Sequence, residues 1–269
     1  MIVTLLYSIS GGMLVVLGTA RVADIAWKFI RLIGLLTLAM ACLATAWVYR
    51  EVSSAAVNSS WWWIVGCGSV LGLGAMGIVL AAPMASRTPA IFHTISLLAG
   101  AGGVAGSALS CSFSMVAQRH ISLTANMITL GQMLGSWLLG SITVAWLLGH
   151  AYLTATKMTI APLRFFSRML SAAVAARFMF LIIALAAAWF MQDGSAVSIW
   201  TRLEQWWIIV LLRVGVGLLA LAIFAYMVGD CVRLRSTQSA TGILYFASVM
   251  AYVGELASQY LTRELGWPI

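Results

Sequence analysis

The sequence predicts an all-α protein: a polytopic integral membrane bundle of about eight transmembrane helices, forming a single domain over residues 1–269. Three observations predict it. Hydrophobic residues make up 62% of the chain and charged residues only 8%, whereas a soluble domain carries about 25% charged residues. The apolar residues gather into eight runs, each near the ~20 residues a helix needs to cross hydrocarbon. The breaks between runs are short and polar or proline-bearing, and none is long enough to hold a soluble domain.

The first run, 2–20, lies within "MIVTLLYSISGGMLVVLGTA", residues 1–20, and lacks the basic n-region of a secretory signal. It is expected to stay as a span, with Arg21, Lys28 and Arg31 following it. The second, 29–49, ends at "YREVSSAAVNSS". The third, 61–83, opens on Trp61, Trp62 and Trp63, where an aromatic belt would meet the headgroups. It contains Gly68 and Gly72, and the fourth run, 90–114, contains Gly102 and Gly106. That GxxxG spacing lets helix backbones approach, so packing is the expected role, with clearance for a flat cofactor as the alternative. The fifth run, 127–153, carries His150 near its end, and the sixth, 170–192, carries Arg177. The seventh, 204–228, opens on Trp206 and Trp207 and carries Arg213. The eighth, 240–262, carries Glu255, and Ser236 or Ser239 is placed to cap its first turn.

An even number of spans puts both termini on one side. The opposite side holds Arg21, Lys28, Arg31, Arg87, Lys157, Arg164, Arg168, Arg233 and Arg235, against Arg50, Arg119, Arg202 and Arg263 beside the termini. By the positive-inside rule both termini lie outside, on the outer side of a bacterial-type inner membrane. The net charge of +8 is thereby assigned to lipid headgroups rather than nucleic acid, since the basic residues sit between apolar runs.

Several chemistries are excluded. Cys42, Cys67, Cys111 and Cys231 are scattered, with no CxxC or CxxCH, so they read as small buried residues. There is no Walker loop and no HExxH, and seven acidic residues are too few for a metal cage. No independent catalytic activity is expected.

Two constellations remain. His93 lies one turn into the fourth span and His150 one turn from the end of the fifth, while His120 falls in a loop on the other side. Consecutive antiparallel helices put His93 and His150 at similar depth, about 5 Å inside their helix ends. Two imidazoles so placed would ligate the iron of a b-type haem, with Arg87, Lys157, Arg164, Arg168 and Arg177 available to its propionates. A quinone or another anionic headgroup in the same basic pocket is the alternative, and interfacial polar residues without a ligand the plainest one. Deeper in the membrane, Arg213 and Glu255 lie roughly 10–14 Å below the outer surface on consecutive helices, matched for an ion pair. That pair would serve as a helix clasp or as a proton-handling carboxylate beside a quinone.

The last helix, "YVGELASQYLTREL" with Gly254–Glu255, in an eight-span chain with outside termini, resembles the membrane anchors of respiratory oxidoreductases of the polysulfide and dimethyl-sulfoxide reductase type. The resemblance implies a subunit that exchanges electrons between quinol and extrinsic iron–sulfur subunits. Anchors of that type usually lack haem, so His93 and His150 point instead to b-type cytochrome anchors, which have fewer spans. The expected function is a membrane subunit of a respiratory complex, partnered by the lipid bilayer and by other membrane and extrinsic redox subunits, binding quinone, haem b or both. The alternatives are a small-solute or lipid transporter working through Arg213 and Glu255, and a structural scaffold.

Overall fold

Hydropathy dictates the architecture, because every backbone N–H and C=O inside hydrocarbon must be satisfied within its own segment. The computed structural model describes residues 1–54, 61–116, 122–154, 159–190 and 199–269, and holds eight helices long and apolar enough to cross a membrane. In chain order these are span one, Ile2–Thr19; span two, Trp27–Ser54; span three, Trp61–Ala81; and span four, Pro89–Val116. Span five, Ser122–Thr154, span six, Ala161–Phe190, span seven, Trp207–Arg233, and span eight, Thr237–Leu265, complete the bundle. A short helix, Ile199–Gln205, precedes span seven, and no strand occurs among the described residues. The molecule is an all-α polytopic membrane protein. Leu43, Leu73, Leu80, Tyr226 and Phe246 stand well exposed on its flanks, as a lipid-facing surface requires.

Span six starts nine residues earlier than its apolar run. Arg164 and Arg168 give "APLRFFSRM" the look of a loop, yet they are spaced i, i+4 and both are exposed on one helix face. Leu163, Phe166, Ser167 and Leu170 fill the opposite face and are buried. Pro162 lies in the first turn, where a missing N–H costs nothing. Span seven is composite: Leu212–Ala220 is wound as a π-helix between α-helical ends. Span eight ends at Gly266, whose φ of 68° is the left-handed conformation that closes a helix C-terminus. At its other end Ser236 holds the N-cap position, but its hydroxyl donates to Ser239 Oγ at 2.9 Å rather than to a backbone N–H.

Span one packs on spans two, four and five, and span five in turn packs on spans six and eight. These two are the most buried helices, 67% each, against 28% for span seven. Small residues make the closeness possible. A Cβ on Gly12 would fall 1.9 Å from the Ser136 carbonyl oxygen of span five, and one on Gly11 would fall 2.6 Å from Val104 N of span four. The "SISGG" segment of span one is therefore the tightest part of the seam. In the GxxxG pairs of the sequence, Gly68 abuts Tyr7 and Thr45 and Gly102 abuts Val70, while Gly72 faces open space. One end of the bundle gathers Met1, Trp47, Trp61, Ser110 and Arg263, and the other gathers Arg21, Arg164, Arg168 and Arg233. We call the latter the basic end.

Candidate functional site

At the basic end two adjoining clefts share Arg164 and Arg168. One, about 440 Å³, lies between the turn after span one and the start of span six, and adds Arg21 and Asp24 to the shared pair. Ile25, Ala161, Phe165 and Phe166 wall it, and the two phenylalanine rings meet edge to face at 5.3 Å. The other, about 420 Å³, lies between spans six and seven, where Arg233, Ser167, Gly229 and Val232 complete its lining. Four guanidiniums thus converge on apolar-walled space at a membrane surface, the arrangement that recognises an anionic or oxygen-rich head on an apolar body. Arg233 also meets Asp230 at 2.8 Å in an exposed pair, which at ~0–1 kcal/mol leaves it free to turn to a ligand.

The two histidines expected as haem ligands each have a hydrogen-bond partner within the chain. His93, half-buried, has its Nδ1 2.8 Å from the Gly18 carbonyl oxygen of span one. His150, exposed, has its Nδ1 2.8 Å from the Tyr245 hydroxyl of span eight. Each imidazole engages a different helix, and neither lines a cleft that Arg164 and Arg168 line. Arg87 is exposed in the turn before span four and lines neither cleft. Lys157 and His120 lie outside the described residues. Among the described residues, no group of three or more His, Cys, Asp or Glu side chains is placed to hold a metal. Arg21 and Arg233, read from the sequence only as topology-setting charges, belong to the clefts. Their signal was present in the two basic segments that flank span one and end span seven.

Deep in the bundle the Arg213–Glu255 pair is part of a larger cluster. Arg213 Nη1 donates to Glu255 Oε1 at 2.9 Å and to the Gly254 carbonyl at 3.4 Å. Arg177, expected among the headgroup-facing cations, instead grips the same carboxylate with both arms of its fork. Its Nε lies 2.9 Å from Oε1 and its Nη2 2.5 Å from Oε2. Arg177 also donates to the Gly131 carbonyl at 3.2 Å and to Ser258 Oγ at 3.1 Å, and the Ser258 hydroxyl passes on to the Ile269 carbonyl. Counting from the helix ends nearest the termini, Arg213, Glu255 and Arg177 sit about 9, 15 and 20 Å deep on their helices at 1.5 Å per residue. Long side chains close those gaps. The early start of span six is why Arg177 was misplaced: counted from residue 170 it stands two turns in, but counted from Ala161 it is mid-helix.

Glycine makes room for this cluster. A Cβ at Gly135 would reach Glu255 Oε2 at 2.6 Å, and one at Gly217 would strike Gly254 Cα at 2.4 Å. Spans five and seven can thus close on span eight from two sides. All three charged side chains are buried, and two guanidiniums against one carboxylate leave a net charge of +1. The cluster can clasp spans six, seven and eight, because removing Glu255 strands two cations in low dielectric.

Compared with known proteins, the chain matches no family model, no curated protein and no solved structure.

Proposed function

We propose that this protein is a ligand-holding subunit of a membrane electron-transfer assembly, and that its ligand is a quinone seated at the basic end. The observation that carries the reading is the convergence of Arg21, Arg164, Arg168 and Arg233, from three separate segments, on apolar-walled clefts at one membrane surface. Arg164 and Arg168 donate to the quinone oxygens, and their fixed positive charge favours the reduced, anionic forms. Phe165 and Phe166 pack against the ring, and the isoprenoid tail leaves between spans six and seven into lipid. The thin connections between spans support a subunit role, since partners must bring the redox centres that exchange electrons with the quinone.

The test is extraction. Protein purified from its native membrane in mild detergent should retain about one quinone per chain, well above the bulk membrane ratio. The double variant Arg164→Gln/Arg168→Gln should lose at least nine-tenths of it while keeping its thermal midpoint, because both side chains are exposed. Quinone at the bulk ratio in both proteins contradicts the reading. Retention of an anionic phospholipid in its place would make the clefts a lipid-headgroup site and overturn the electron-transfer assignment.

A further inference from the structure

Arg177 and Arg213 approach the same carboxylate but use their forks differently. Arg177 spends its Nε and Nη2 edge on the two oxygens of Glu255, the geometry in which a guanidinium matches a carboxylate bidentately. Arg213 reaches Glu255 with Nη1 alone, and its own Nε and Nη2, the equivalent edge, have no partner among the described residues. Its side chain has no exposed surface at all. A guanidinium edge unmet at this depth is costly, and it belongs to the cluster's uncompensated positive charge. Among the described residues no second acid reaches this edge: Glu255 is taken, and Asp24, Glu204, Asp230 and Glu264 lie outside the spans or within a turn of a span end. Water would meet the donors without balancing the charge.

We propose that the free Nε/Nη2 edge of Arg213 binds the carboxylate of a monocarboxylate ligand, which completes a two-arginine, two-carboxylate cluster between spans six, seven and eight. Arg213 is buried within the π-helical segment Leu212–Ala220, whose Leu218 belongs to an apolar cluster with Leu181 and Leu261 and whose Val214 packs against it. π-Helical insertions of this kind are frequent at functional sites. A carboxylate on a small or alkyl body suits those surroundings, and a doubly charged oxyanion does not, because it would leave a net negative charge there. The carboxylate can come from a short free acid or from a membrane fatty acid. This inference is independent of the arginine clefts at the basic end, which lie in a different part of the bundle.

The test uses the full chain in lipid nanodiscs. Sodium formate and sodium acetate are titrated against sodium sulfate at matched ionic strength while thermal unfolding is followed, and fatty acid released on denaturation is quantified by mass spectrometry. For a short free acid, formate or acetate should raise the midpoint by about 4 °C or more at saturation, and sulfate should not. For a membrane fatty acid, about one equivalent should be released per chain. Arg213→Lys keeps the charge and removes the paired edge, and should weaken either response at least tenfold. Should Arg213→Lys fail to fold, the wild-type comparison of formate, acetate and sulfate together with the released fatty acid still decides. Equal effects of formate and sulfate without bound fatty acid would overturn the proposal, as would a full response in Arg213→Lys.

Discussion

Glu255 is the residue on which most of the buried polar chemistry depends. It accepts from two guanidiniums on two other helices while buried itself. Glu255→Gln keeps the shape and removes the only negative charge in the cluster, leaving two cations facing one another. The expected cost is about 3–5 kcal/mol, the usual penalty for breaking a buried pair from one side. Asp230→Asn breaks the exposed pair with Arg233 and should cost below about 1 kcal/mol. Thermal unfolding of both variants checks the contrast, and equal destabilisation would show that the cluster is not the clasp described. The sequence exposed two members of this cluster through matched depth, Arg213 and Glu255. It hid Arg177, because the helix carrying it begins inside a segment whose arginines disguise it as a loop.

At the scale of elements, hydropathy located all eight spans, since the requirement for unbroken intrahelical hydrogen bonding is local and leaves a local trace. Which faces meet was less legible. Small-residue spacing is a necessary condition for close packing and not a sufficient one: Gly72 has nothing within 4 Å of a built Cβ, while Gly254 would drive one to 2.3 Å from Gly217 Cα. Gly254→Ala should therefore push span eight from span seven and disturb the neighbouring Glu255, lowering the thermal midpoint by several degrees, whereas Gly72→Ala should leave it unchanged. A crosslinking rate between cysteines placed at the facing ends of spans seven and eight would register the same separation. If Gly254→Ala is as silent as Gly72→Ala, the backbone contact between these helices is not what holds them.

For the whole molecule, the asymmetry of charge maps onto a physical asymmetry. One end carries the arginine clefts, the other carries tryptophans, and the charged cluster lies between them, set nearer the tryptophan end. The sequence displayed the basic end as a tally of charges without showing that Arg164, Arg168, Arg21 and Arg233 would share adjoining clefts, because that depends on how span six docks against the turn after span one. The two histidines, read as partners from equal depth, engage Gly18 and Tyr245 on different helices. Depth alone does not determine the direction in which a helix face points. The most direct test of quinone seating is photolabelling with an azidoquinone in native membranes, followed by peptide mapping. Label is expected on Ala161–Arg168 and on the Gly229–Arg233 end of span seven, competed by unmodified quinone. Label confined to other helices, or spread over every lipid-facing helix without competition, would contradict it.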